Sequence, residues 1–316
     1  MRSTLITIVC VGCWLTVTPV WAEDYALIVG VNDCPDFRLP NGSRPRPLRG
    51  AESDADAVAD LWKRQFGLAA DHVRVLKGRQ ATRAALQAEW ERLARTLRPE
   101  DSLLFYFSGH GTQVPDRKPF DEPDHLDEAL CPSDARSDGT NLLLDDDLGA
   151  WLDEIAAGQV TILLDCCHAG TGIKEVDDEI VARFLPMPDP RATLKPDERP
   201  WRDFQGTTKS LTPRSVVALF ACRPEQQAYE RRMTRGNDTI RAGQFTHFVV
   251  EGLTLGKADR NGDQIVSRQE LTDYVARRLD ETFNAQRPQA VERQQPLLET
   301  DHPEQPLFSK LIKPKG

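Results

Sequence analysis

Four uninterrupted apolar runs of strand length constrain this chain more than any other feature: Tyr25–Val31 (YALIVGV), Leu103–Phe107 (LLFYF), Val160–Leu164 (VTILL) and Val216–Phe220 (VVALF). A strand with one wet face alternates apolar and polar side chains, whereas a strand without alternation is covered on both faces, as in the middle of a parallel sheet. Helical patterns separate the runs. Ser53-Asp54-Ala55-Asp56 resembles a capping box with Asp in place of Glu, and Ala55, Val58, Ala59, Trp62 and Phe66 follow at helical spacing. Val73–Leu76 reads as a short strand, and Thr82 caps a second helix with Leu86, Trp90, Leu93 and Leu97 on one face. This alternation predicts a three-layer α/β/α domain with a mainly parallel sheet.

The length of 316 residues suits one large α/β domain or two average ones. A hydrophobic content of 40%, a charged content of 28% and a mean hydropathy of −0.48 exclude a polytopic membrane protein and wholesale disorder. With 40 Lys+Arg against 49 Asp+Glu the net charge is −9, which disfavours nucleic acid as a partner and suits cationic ligands. Residues 1–22 (MRSTLITIVCVGCWLTVTPVWA) carry one Arg, an apolar run, and Val20 and Ala22 at the −3 and −1 positions of a cleavage site. They predict a secretory signal peptide and a secreted or periplasmic protein with no membrane attachment after cleavage. An uncleaved anchor is the alternative, but the run is short of the roughly 20 residues that span a bilayer. The seven cysteines are too few for a disulfide scaffold, and their one CxxC pair, Cys10 and Cys13, lies in the segment expected to be removed; its loss leaves an odd number, so at least one free thiol is expected.

From Thr171 to Pro213 the periodicity fails amid prolines and charges, among them Lys174, Arg183, Arg191, Lys195, Arg199, Arg202 and Lys209. A long surface insertion is expected at 174–213. The tail from 286 to 316 reads as an extension whose Leu307-Phe308 can dock on the core.

In a parallel sheet, reactive groups belong at the carboxyl ends of strands. LLFYF runs into Ser108-Gly109-His110-Gly111, and VTILL runs into Asp165-Cys166-Cys167-His168-Ala169-Gly170. A thiolate can attack a carbonyl carbon while an imidazole manages the protons and backbone N–H groups hold the oxyanion. Cys167, His110 and the N–H groups of Gly111 and Cys167 supply those parts. The plainer reading makes His110 a loop histidine and the cysteines small core residues. Zinc suits the neighbours Cys166, Cys167 and His168 poorly, since they cannot easily wrap one tetrahedral ion.

The SGHG and DCCHAG strand ends, His110 and Cys167 lying 57 residues apart, resemble the caspase/metacaspase group of cysteine peptidases (peptidase C14). Caspases place the His about 50 residues before the Cys. The resemblance extends over LRGAESDA (48–55), LDEALCPSD (126–134), LLLDDDL (142–148) and ACRPEQQAYE (221–230). It implies the caspase-like (caspase-haemoglobinase) fold over 23–285, with a large-subunit-like part at 23–173 and a small-subunit-like part at 214–285. It implies that His110 is the acid/base, Cys167 the nucleophile, and Asp54 and Asp165 the acids of a primary specificity pocket. Two carboxylates in a partly desolvated pocket repel each other unless a cation enters, so the pocket should select Arg or Lys. Asp54 also has a simpler reading, as a carboxylate favoured near a helix N-terminus, and Asp165 as a residue that orients a turn.

The resemblance also implies calcium at the run Asp145-Asp146-Asp147, where three carboxylates repel one another without a cation. The alternative is a helix start at Asp147. A second candidate, Asp259 to Glu270, offers Asp259, Asn261, Asp263, Ser267 and Glu270 at EF-hand positions, but Gln264 stands where the sharp turn wants glycine. A plain turn opening a helix at 268–282 is the competing reading.

The expectation is therefore a Cys-His endopeptidase that hydrolyses peptide bonds after Arg or Lys in protein or peptide substrates. It needs no cofactor for chemistry, is activated by calcium, and processes itself at a basic residue of the insertion. The alternative from another class is an idle caspase-like fold acting as a calcium-dependent binding module. A vicinal Cys166–Cys167 disulfide that silences the nucleophile is a further expectation for an oxidising compartment.

Overall fold

A computed structural model of the chain describes residues 22–115, 126–168, 180–187, 215–287 and 289–307. The expected signal peptide lies outside the described residues, apart from Ala22, as do Phe308 and most of the insertion. The elements run β1 (Asp24–Gly30), α1 (Ala51–Gln65), β2 (Val73–Lys77), α2 (Arg83–Thr96), β3 (Ser102–Ser108), β4 (Gly111–Pro115), β5 (Leu126–Leu130), β6 (Leu143–Leu144), α3 (Asp145–Glu154) and β7 (Gln159–Asp165). They continue with β8 (Ile180–Ala182), β9 (Ser215–Phe220), β10 (Tyr229–Arg235), β11 (Asp238–Gly243), α4 (Gln244–Thr254), α5 (Arg268–Thr282) and β12 (Leu297–Glu299).

The main sheet has the order β12-β9-β7-β3-β1-β2. Its strands are parallel except the edge strand β12, which pairs antiparallel with β9. Each apolar run divides its side chains between two cores, as successive residues of a strand must. Leu27, Val29, Phe105, Phe107, Ile162 and Leu164 pack beneath α2 and α3, while Ile28, Leu104, Tyr106, Leu163, Val217 and Leu219 pack beneath α1, α4 and α5. The chain is thus a three-layer α/β/α structure with a mostly parallel sheet, and the missing alternation of its strands is the mark of two covered faces.

The helix starts differ in instructive ways. Thr82 accepts from the Ala85 N–H at 3.1 Å and caps α2, and Ser267 and Glu270 form a capping box on α5. Helix α1, however, begins at Ala51 without a side-chain cap. Ser53 lies inside it and donates to the Gly50 carbonyl at 2.8 Å, because the neighbouring Asp54 is turned into the protein. At the entrance to α1 the Glu230 carboxylate accepts from the backbone N–H groups of Arg49 and Gly50, each at 2.9 Å. Helix α3 starts at Asp145, two residues before the expected Asp147.

From 286 to 307 the chain is part of the fold. Strand β12 covers the edge that β9 would leave open, and Leu307 is buried, its carbonyl accepting from Gln159 at 3.0 Å.

Candidate active site

Strands β3 and β7 are parallel neighbours whose last residues, Ser108 and Asp165, lie opposite each other in register. His110 and Cys167, each two residues further on, therefore leave the sheet at the same level. Gly111 sits so close to the Cys167 carbonyl that a side chain there would collide with it, and this contact joins the two loops.

Both N–H groups expected to hold an oxyanion point at one oxygen. The Gly111 N–H donates to the Arg183 carbonyl at 3.0 Å and the Cys167 N–H donates to the same carbonyl at 3.3 Å. Arg183 belongs to the segment expected on the surface, yet it is fully buried. Strand β8 carries it in by pairing antiparallel with β10, and its N–H donates to the Ala228 carbonyl at 2.9 Å.

The Arg183 side chain fills the space between the two expected pocket acids. One guanidinium nitrogen lies 2.7 Å from Asp54 Oδ2, and the other lies 3.2 Å from Asp165 Oδ2. The second nitrogen also donates to Ser108 Oγ at 2.6 Å and to the Asp165 carbonyl at 2.9 Å. Glu230, 3.8 Å away, is a third carboxylate. All four ionic side chains are 0% exposed. The carboxylates are themselves held: Asp54 accepts from the Gly243 N–H at 2.9 Å, and Asp165 accepts from the Thr246 N–H and hydroxyl at 3.1 and 2.6 Å.

Three buried acids around one cation leave an excess of negative charge. Burial raises the Asp54 carboxyl to about 6, with Arg183 pulling it down and Asp165 pushing it up. Burial also works against the Arg183 charge, but Asp165, Asp54 and Glu230 outweigh it and raise the pKa of the guanidinium further. Such burial is unfavourable without a partner charge, and the Arg183 guanidinium is that partner here.

His110 is buried, and among the described residues its ring has only the backbone of Arg46 as a weak polar neighbour. Burial, then the positive charge of Arg183, push its pKa down to about 3; the Arg46 backbone opposes this weakly. With the segment seated, the imidazole is neutral.

Cys166 and Cys167 part company despite being adjacent. Cys166 joins the core beneath α2 and α3, its sulfur 3.8 Å from His168 Nε2, whereas Cys167 joins the opposite core with its sulfur 3.8 Å from the Ala228 carbonyl. All five described cysteines are free thiols. Burial, then the charges of Cys167 and Asp165, raise the Cys166 thiol far above the ordinary range. A vicinal disulfide would require the backbone to bring the two side chains together from opposite faces.

The two calcium candidates do not converge on a cation. Asp147 accepts from the Leu144 N–H at 3.4 Å and pairs with Arg83 at 3.1 Å. Asp145 is buried and lines a small cavity with Glu128 and His168; Asp146 is partly exposed beside it. In the second segment Asp259 accepts from the Gly262 and Gln264 N–H groups, Asp263 from Ile265, and Asn261 from Asp263. Glu270 accepts from the Arg260, Asn261 and Ser267 N–H groups. Gln264 adopts φ 67°, the left-handed conformation that glycine would take without strain. Among the described residues no group of three His, Cys, Asp or Glu side chains is arranged to hold a metal.

Arg183, Ser108 and Glu230 were not expected at the site. Glu230 ends the segment ACRPEQQAYE, and Ser108 opens SGHG, so both lay within the motifs without a role of their own.

The family model described as the caspase domain matches residues 23–307. Metacaspase-3 of Arabidopsis thaliana is 33% identical over 224 residues, which are 68% of this chain and 58% of the relative. Metacaspase-1 of Saccharomyces cerevisiae is 30% identical over 154 residues, 46% of this chain and 33% of the relative. The matches span from about a third to 58% of these curated relatives. A crystal structure of a Geobacter sulfurreducens protein superimposes with a TM-score of 0.60 at 26% identity, covering 92% of this chain and 100% of the other.

Proposed function

The chain belongs to the caspase-domain family of C14 peptidases, and from that premise we propose that it is a cysteine endopeptidase that cleaves after Arg or Lys. One observation carries the reading: Arg183 lies as the residue before a scissile bond would lie, its side chain among Asp54, Asp165 and Glu230 and its carbonyl oxygen on the Gly111 and Cys167 N–H groups.

In this mechanism Cys167 loses its proton to His110 and attacks the carbonyl carbon, and the two N–H groups take the oxyanion. His110 then passes the proton to the leaving amine, and water hydrolyses the acyl-enzyme. The planar guanidinium, bonded by two nitrogens to separate acceptors, favours Arg over Lys. The same geometry nominates the Arg183–Phe184 bond as the site of self-processing. Until that bond is cut or displaced, the segment competes with substrate.

The test is a series of peptide reporters differing only in the residue before the cleaved bond. Arg should be turned over fastest, Lys next, and Asp or Leu not at all; turnover should vanish in Cys167→Ala and persist in Cys166→Ala. Preferred cleavage after Asp would sink the pocket assignment. The competing reading, an idle binding module, requires that an arginyl chloromethyl ketone fail to label Cys167. Calcium activation stands apart from this chemistry, and turnover in chelator against added calcium decides it. Secretion or export to a periplasm rests on residues 1–22, and sequencing the N-terminus of protein recovered from its host tests it.

A further inference from the structure

We propose that the site also reads the chain beyond the scissile bond, selecting substrates with an aliphatic side chain two residues after the basic one. This rests on the proposed cleavage after a basic residue and names what else such a substrate must carry.

The segment 180–187 is gripped on both sides of Arg183. Before it, β8 pairs with β10, Ala182 opposite Tyr229 and Ile180 opposite Arg231. After it, the partner changes to β4: Phe184 forms a parallel bridge with Gly111, and the Leu185 N–H donates to the Gly111 carbonyl at 2.9 Å. The Thr112 hydroxyl donates to the Leu185 carbonyl at 2.5 Å, and Thr112 itself is 0% exposed. Gly111 thus serves twice, its N–H on the Arg183 carbonyl and its carbonyl on the second residue beyond.

Backbone pairing of this kind accepts almost any sequence, and selectivity comes from the pockets that alternate side chains enter. Alternation is what the segment shows. Phe184 is half-buried and packs against the core beneath α1 and α4. Leu185 and Met187 turn the other way, into the core that contains Val114, Leu130 and Leu144, and are 2% and 8% exposed. A position that takes a leucine completely out of water discriminates by hydrophobic transfer, and a carboxylate there would be buried without a partner.

The experiment uses internally quenched peptides of the form Ile-Val-Ala-Arg-Phe-X-Pro-Met, with X as Leu, Gly or Asp, and the coumarin reporter Ile-Val-Ala-Arg, which lacks everything beyond the bond. The full chain should cleave after Arg, with kcat/KM for X as Leu roughly tenfold or more above Gly and Asp slower still. Equal rates for the three peptides, with the cut still after Arg, would overturn the inference and leave the proposed function standing. Failure to cut any of them, the reporter included, would overturn the reading beneath it and the inference with it. In Thr112→Val the ratio of the Leu peptide's kcat/KM to that of the reporter should fall about three- to tenfold. A misfolded variant lowers both rates and not their ratio, and an unchanged ratio would remove Thr112 from the account.

Discussion

Two acidic clusters in this molecule look alike on paper and behave oppositely in the fold. Asp54, Asp165 and Glu230 come from α1, β7 and β10 and meet around a guanidinium with no exposure to solvent. Asp259, Asp263 and Glu270 are close in sequence and exposed or half-buried, and they spend their oxygens on nearby backbone N–H groups. The first cluster is expensive to bury and is stable only with a cation, whereas the second serves as turn and helix cap. A carboxylate held by a distant charge is therefore recognised by the absence of a cheaper local use for it.

The sharpest way to break this contrast is to remove one charge from each cluster. Asp54→Asn and Asp165→Asn should lower kcat/KM on an Arg reporter by at least about a hundredfold, in line with roughly 3–5 kcal/mol for breaking a buried ion pair. Asp259→Asn should leave it unchanged, and equal effects would erase the distinction. Next in size is a pH effect. Asp54 must be ionised to receive a cation, and its pKa is about 6 even with Arg183 seated. An empty pocket loses that help but also admits water that relieves the burial, so kcat/KM for Arg substrates should fall about tenfold per pH unit below a limb near pH 6. A limb near pH 4 would contradict the raised carboxyl. Glu230→Gln, acting at 3.8 Å where Asp54 and Asp165 act at 2.7 and 3.2 Å, should weaken the preference for Arg over an uncharged isostere by less than those two changes, about tenfold, in steady-state kinetics. The smallest effects belong to the loop. Glu270→Ala should cost about 1 kcal/mol in denaturant unfolding through the capping box. Gln264→Gly should add up to about 1 kcal/mol by relieving the left-handed backbone. Neither change should touch substrate preference.

The sheet was legible because its four apolar runs admit few other arrangements, and the strand ends followed from parallel topology. Ser53 misled as a cap because Asp54, placed by local spacing on a helix start, answers to a pocket built from distant elements. Arg183 was hidden for a related reason. Strand β8 is three residues long and exists by borrowing the edge of β10, so it leaves no periodic signal among the prolines and charges around it. Glu230 sits in a strand reading YERRMTR, whose polarity says nothing of which side chain is buried. Residues beyond 285 read as an extension with one docking point at Leu307-Phe308, and β12 went unseen because a three-residue edge strand has no pattern of its own.

The central claim is that Arg183 occupies the site as a substrate would, and the mass of the purified chain tests it most directly. Incubated wild-type protein should yield two fragments that meet between Arg183 and Phe184, while Cys167→Ala should remain whole. A wild-type chain that stays intact while fully active on Arg peptides, or one cut by its own thiol at a different bond, would contradict the account.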